Sequence, residues 1–471
     1  MPKRPIGPLW AALVGVIAIR SVGVTSAPPP DGTGSFADSG QRLHRSASAD
    51  VALGDLDGDG DADAFVATAL QGYNRVWLND GSGTFTFSGQ LLGSRSTAEV
   101  ALVDINGDGD LDAAVANSAS ASRLWVNDGS GSFSPGQTLT TGNGSSVAVG
   151  DVSGDGAIDI VLGNYGQGNR VWLAGAGGVF TATAQVLGSA DTTALALADL
   201  DGDGDLDLYE AVQRAADWVW WNDGAGNFTD SGQRLGASDS LDVALADLDG
   251  DGDTDAFVAV GDGGGEVWLN NGTGTLTNSR QSLGSGVAQG VALGDVDADG
   301  DVDALVANFG SADEVWLNSG VAQFTDSMQR IGGTNTTGIA LHDLDGDTDL
   351  DVFAANMLEP DRVLFNTVPN TPTPTASATG TATTLPTATD VPSATATSTP
   401  SSTGLPPTTP TAATPTASAT LAPTPTVSPS GTASPPGPGT ATPTPTASHT
   451  AAPPTTVTAS PTPSSTVVFS P

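Results

Sequence analysis

Residues Gly54–Ala67 read GDLDGDGDADAFVA: aspartates stand at every second position from Asp55 to Asp63, and an apolar run follows at once. Five carboxylates so close together repel one another, so the loop needs a neutralising partner. Closely similar loops open at Asp55, Asp104, Asp151, Asp199, Asp247, Asp295 and Asp343, at steps of 49, 47, 48, 48, 48 and 48 residues. A period near 48 residues places the chain among repeat architectures before any single residue is weighed.

Each unit holds four short apolar runs separated by turn residues. In the first unit they are Val51–Leu53, Ala64–Ala67, Arg75–Asn79 and Gly83–Leu92. Runs of this length, cut by Gly, Asn and Asp and lacking a helical period, predict β-strands. Four antiparallel strands per unit predict a propeller blade, and the repeat predicts an all-β, seven-bladed β-propeller. The third run recurs as VWL at Val76, Val171, Val267 and Val315, with RLWV at Arg123, VWW at Val219 and VLF at Val363. Trp77, Trp125, Trp172, Trp220, Trp268 and Trp316 thus fall in register and are expected in the core between blades. The last unit reaches Asn366 without a fourth strand, whereas Gly34–Leu43, GSFADSGQRL, precedes the first loop and closely matches Gly226–Leu235, GNFTDSGQRL. The N-terminal segment is therefore expected to complete the last blade, leaving no open edge at the seam.

The flanks differ from the repeats. Residues 1–27 run from Lys3 and Arg4 through an apolar stretch, Leu9–Ile19, to Ser26 and Ala27, the order of a secretory signal peptide. Eleven apolar residues are too short to span a bilayer, so no membrane insertion of the mature chain is expected. Residues 367–471 are a Pro/Thr/Ser-rich tract that cannot bury a core and is expected to be a disordered stalk or linker. The domains expected are therefore 1–27, a propeller over 28–366, and the tail. Without cysteine, a secreted chain must be held by its core, by metal, or by both. The formal charge is −39 and Lys3 is the only lysine, which argues against nucleic acid as a partner.

Numbering the first aspartate of a loop as position one, side-chain oxygens fall at positions one, three, five and nine, with a carbonyl available at seven. In the first loop these are Asp55, Asp57, Asp59, Asp63 and the backbone of Asp61. The fourth repeats them as Asp199, Asp201, Asp203, Asp207 and Asp205, and the fifth as Asp247, Asp249, Asp251, Asp255 and Asp253. The second has Asp104, Asn106, Asp108, Asp112 and Asp110, an oxygen kept but a charge lost. The third has Asp151, Ser153, Asp155 and Asp159, with Ala157 at seven. The sixth keeps Asp295, Asp297, Asp299, Asp303 and Asp301 but has Ala298 at a glycine position. The seventh keeps Asp343, Asp345, Asp347, Asp351 and Asp349 but has Thr348 where the turn wants glycine. Alternating oxygens around permissive glycines suit a hard cation with six or more ligands at about 2.3–2.6 Å, which favours calcium over magnesium. Up to seven structural calcium ions are expected, bound most weakly in the third and seventh loops. An EF-hand is excluded: position twelve is Val66 or Val115, and strand-like runs follow in place of helices.

These D-x-D-G-D-G-x-x-D loops, the apolar strand behind them, and pieces such as Asn308-Phe309-Gly310 and Asn164-Tyr165-Gly166 resemble the FG-GAP/VCBS family, whose blades also build integrin α-subunit propellers. The resemblance covers roughly residues 34–366. It implies a seven-bladed propeller with calcium held between the first and second strands of each blade.

For function, the loops between second and third strands vary most, and Tyr73, Tyr165 and Phe309 offer aromatic faces there. Trp218, which occupies a place held by Arg75, Arg123, Arg170 and Arg362 elsewhere, is expected to be exposed with them. Variable loops on a repeated scaffold suit ligand binding. The expectation is a secreted or surface-displayed, monomeric adhesion module for protein or glycan. No nucleophile elbow, zinc signature or phosphate-cradling loop is present, and His44 and His342 are isolated, so no enzyme is expected. A carbohydrate-active lyase or hydrolase and a purely structural display protein stand as alternatives.

Overall fold

The computed structural model describes residues 34–94, 96–139 and 142–367. The expected signal peptide, and the expected tail apart from Thr367, lie outside them. Every regular element among the described residues is a β-strand, and none is a helix long and apolar enough to cross a membrane.

The first strand of each unit leads into its acidic loop: Arg45–Gly54, Thr97–Val103, Gly144–Gly150, Thr192–Ala198, Ser240–Ala246, Val287–Gly294 and Thr336–His342. Each second strand begins on the position-nine aspartate, as in Asp63–Thr68 and Asp112–Asn117, and pairs antiparallel with the first. Third and fourth strands follow, as in Asn74–Leu78 and Thr86–Leu92. The second strands are wholly buried in DAFVAT and DAAVAN alike, because both faces of a blade are covered by its neighbours. Strands covered on both sides read as unbroken apolar runs. The outer strands face water and alternate, as Thr86–Leu92 does.

Five units form separate four-stranded sheets, and the remaining strands form one eight-stranded sheet. That larger sheet contains two four-stranded sets joined where Arg45 pairs with Pro360 and Ala47 with Met357. One set is Thr336–His342, Asp351–Pro360, Arg362–Asn366 and the N-terminal strand Phe36–Asp38, in which Phe36 lies opposite Asn366 and Asp38 opposite Leu364. The N-terminal segment thus supplies the missing outer strand. First strands touch in succession around the molecule, and Thr336–His342 touches Arg45–Gly54 again, which closes the ring.

The recurrent tryptophans lie between blades. Trp172 packs on Ala101 and Val103 of the preceding unit, Trp268 on Ala194 and Ala196, and Trp77 on Phe353 across the seam. Around the rim a glutamine clamps each junction. Gln185, for example, accepts the Phe228 N–H on Oε1 at 2.9 Å and donates Nε2 to the Gly226 carbonyl at 2.7 Å.

Candidate metal centres and the opposite rim

Position one folds the loop. Asp55 Oδ1 accepts the Gly58 N–H at 2.7 Å and Oδ2 accepts the Gly60 N–H at 3.1 Å. Asp104, Asp199, Asp247 and Asp343 repeat that pair of bonds onto positions four and six. Asp151 and Asp295 instead reach positions five and six. Backbone wrapped this tightly needs left-handed residues, and Gly58 and Gly60 have φ of 79° and 97°. Ala298 and Thr348 are held in the same region, at 59° and 80°.

Position nine anchors the loop to the blade. Asp63 is fully buried; its Oδ2 accepts the Leu56 N–H at 3.0 Å and its Oδ1 the Asn79 N–H at 2.7 Å. Asp112, Asp207, Asp255, Asp303 and Asp351 make the same two bonds. Asp159 also makes two, to Ser153 and Ala174. Burial pushes these carboxyls up, to about 6 at Asp63, Asp112 and Asp255, about 7 at Asp207, and about 8 at Asp303 and Asp351. At position five, Asp59, Asp108, Asp155, Asp203, Asp251, Asp299 and Asp347 each accept the N–H two residues on.

Position three is the least committed: Asp201 and Asp249 Oδ1 accept the N–H two residues on, at 3.2 and 3.3 Å, and the other aspartates there do not. Oδ1 of Asp57, Asp297 and Asp345 is buried without a hydrogen-bond partner. Burial, then the neighbouring position-five charge, raises the pKa of Asp57, Asp201, Asp249, Asp297 and Asp345. Single oxygens of Asp55, Asp57 and Asp63 lie within 4.8 Å of one another. The same holds for Asp199, Asp201 and Asp203, for Asp247, Asp249 and Asp251, for Asp295, Asp297 and Asp299, and for Asp343, Asp345 and Asp347. The second and third loops make no such all-carboxylate group among the described residues, since Asn106 and Ser153 stand at position three.

At position seven, Asp61, Asp110, Asp205, Asp253 and Asp301 lie against glycines of the turn after the third strand; a Cβ on Gly81 would stand 2.4 Å from Asp61 Oδ2. Asp349, buried with neither oxygen partnered, is pushed to about 7 by burial and by Asp347. Desolvated, crowded and unpartnered oxygens on carboxylates fit a hard cation.

On the face reached by the loops between second and third strands, Tyr73, Tyr165 and Phe309 are 44%, 41% and 42% exposed. Tyr165 donates its hydroxyl to Gln213 Oε1 of the next unit at 2.7 Å. The expectation for Trp218 fails. It is half-buried, stacked on Trp220 at 5.4 Å between ring centroids, and the guanidinium of Arg234 lies 3.8 Å from its ring centre. Arg234 is its cross-strand neighbour, so a cation and a second indole both pack against the ring.

Sequence reading missed the clamping glutamines and the anchoring role of position nine. The glutamines carried a signal: Gln41, Gln90, Gln137, Gln185, Gln233, Gln281 and Gln329 recur at the same steps as the aspartates.

A family model described as FG-GAP-like repeat matches residues 55–115, 104–162, 151–210, 211–258, 247–306 and 295–354. No curated protein matches the chain. Among solved structures, the chain is similar to BBS1N in complex with ARL6DN in a mercury-soaked crystal, at 12% identity and a TM-score of 0.51, covering 71% of this chain and 97% of that one. The BP39L lectin from Burkholderia pseudomallei is 18% identical with a TM-score of 0.48, over 66% and 93% of the two chains. At such identities the BBS1N likeness speaks for the propeller fold alone.

Proposed function

The chain belongs to the FG-GAP-like repeat family, and from that premise we propose that it is a calcium-stabilised, non-catalytic propeller that binds a protein or glycan ligand, secreted or displayed at a cell surface. The ions would be held by side chains at positions one, three, five and nine, joined by the carbonyl at seven, and each would turn carboxylate repulsion into attraction. They serve the scaffold, because the same loops carry the bonds that fix the blades.

One contrast supports a ligand on the other face. The acidic loops commit their polar groups inward, in a pattern that hardly changes from unit to unit. The opposite rim changes in every unit and leaves Tyr73, Tyr165 and Phe309 open to solvent. Aromatic faces of this kind bind sugars and protein side chains alike.

Glycan and protein arrays probed with the calcium-loaded protein test this reading. Binding that is lost in the Tyr73→Ala, Tyr165→Ala, Phe309→Ala triple variant supports it. Binding untouched by those changes, or no binding on either array, rejects it.

A further inference from the structure

The junction between the first and second blades lacks a charge that two other junctions carry. At those two, an aspartate beside the third strand accepts an N–H from the end of the second: Asp361 from Asn356 and Asp313 from Asn308, both at 2.8 Å. Burial raises both carboxyls, and an arginine of the following blade, Arg75 for Asp361 and Arg362 for Asp313, works against it. At the end of blade one Asn74 stands in that place, accepting the Thr68 N–H on Oδ1 at 3.0 Å. Arg123 of blade two stands where Arg75 and Arg362 do, opposite the fourth residue of the second strand. The arginine is kept and its internal counter-charge is gone.

A cavity of about 310 Å³ opens at this junction, on the rim away from the acidic loops. Arg123 is the one charged residue lining it, in a chain with 53 Asp and Glu against 14 Lys and Arg. The Arg123 guanidinium donates from Nη2 to the Thr138 hydroxyl at 3.2 Å and lies 5.6 Å from the centre of the Trp125 ring. That leaves most of its fork of donors unused. Arg42, Arg234, Arg330 and Arg362 each meet an aspartate at 2.7 to 3.4 Å, whereas Arg123 meets no carboxylate among the described residues. Two more donors face the same space. Ser120 Oγ is buried without a partner, and Asn74 Nδ2 donates to no acceptor among the described residues.

We propose that this cavity binds the carboxylate of an acidic sugar, a hexuronate at the end of a glycan, with Arg123 as its counter-charge. A guanidinium fork takes a carboxylate through two parallel N–H bonds, and Ser120 and Asn74 supply donors beside it. A sugar fits better than an acidic peptide side chain, because the polar wall is hydroxyl and amide groups that match a ring bearing hydroxyls. The volume is at the lower end of small-molecule sites, enough for about one ring. The acidic loops do not repel such a ligand strongly. The six-residue strand Asp112–Asn117 separates them from the cavity, a span of about 20 Å, and physiological salt screens charge over about 8 Å. The cavity lies on the rim proposed above to hold the ligand, so the inference rests on that reading and names the chemical group recognised there.

Titration calorimetry of the calcium-loaded protein with methyl glucuronide, methyl glucoside and acetylglutamate amide tests the proposal. The glucuronide is expected to bind one per chain, and the neutral glucoside about tenfold more weakly or worse. Arg123→Gln should weaken the glucuronide by about tenfold or more and leave the glucoside unchanged. Asn74→Asp, which installs the carboxylate that Asp313 and Asp361 supply elsewhere, is a second variant expected to act in the same direction. Equal binding of glucuronide and glucoside, no glucuronide binding, or tighter binding of the glutamate amide than of the glucuronide overturns the proposal. So does wild-type affinity in both variants. Should any of these occur while array binding is still lost in the aromatic triple variant, the rim reading stands and the sugar carboxylate alone falls.

Discussion

Gln329 accepts the Phe36 N–H on its Oε1 at 2.9 Å and donates its Nε2 to the Gly34 carbonyl, a clamp between residues 293 apart in sequence. At the other junctions the partners lie only 43 or 44 residues apart, as with Gln185 and Phe228 or Gln41 and Phe85. The seam is therefore held by the same device as every other junction but closes a far longer loop, at a greater entropic cost. Gln329→Ala removes two bonds, each contributing about 1 kcal/mol net. Thermal unfolding in calcium should show destabilisation of about 1–2 kcal/mol; an unchanged midpoint would mean the seam is held by strand pairing alone.

Position three separates the roles of calcium and repulsion. In calcium, Asp57→Asn and Asp297→Asn should each lower the melting temperature, because an ion loses a charged ligand. In EDTA the same variants should match or exceed the wild type, because a desolvated charge is gone. A variant that is weaker by the same amount in both buffers would show that the residue is not a ligand. Calorimetry of the stripped wild type should detect several calcium ions per chain, with a large gain in melting temperature.

Thr348 is β-branched and sits at φ 80°, where five of the other loops have glycine at 94–98° and the third loop has glycine at 87°. Thr348→Gly should stabilise the protein by about 1 kcal/mol, since strain relief outweighs the entropy of the freer unfolded chain. The gain should appear in the unfolding midpoint together with tighter binding of the last calcium to load. A destabilised variant would show that the loop tolerates threonine without strain.

Buried carboxylates outside the loops set a pH dependence. Asp313 accepts the Asn308 N–H and the Thr336 hydroxyl, both at 2.8 Å, and burial pushes it to about 7. Asp217 and Asp361 sit in equivalent places and reach about the same value for the same reason. A carboxyl raised above its unfolded value binds its proton more tightly when folded. Its stabilisation is complete below about pH 4 and is lost as pH rises through about 7. Asn74 and Asn169 occupy the same site in other blades. Asp313→Asn should therefore flatten the decline, gaining on the order of 2 kcal/mol relative to wild type between pH 5 and 7. Parallel curves for the two proteins would mean Asp313 stays ionised in the fold.

The strands, the blade unit and the use of Gly34–Leu43 to complete the last blade were legible because each is a repeat or a missing copy of one. Trp77 and its counterparts were placed correctly by register alone. Trp218 was misplaced because its cover, Arg234, lies sixteen residues on and meets it only across a strand pair. The aspartate pattern showed where oxygens converge but not which of them the backbone already occupies.

By itself, the sequence determined the period, the strand order and the concentration of negative charge, since all three are properties read along one chain. Tertiary structure alone decided that Asp63 spends both oxygens on amides while Asp57 keeps one unpartnered, and that Arg123 meets a cavity wall without carboxylates. The physical reason is that a polar atom is satisfied or stranded by whatever packs against it, and here that neighbour belongs to another strand or another blade.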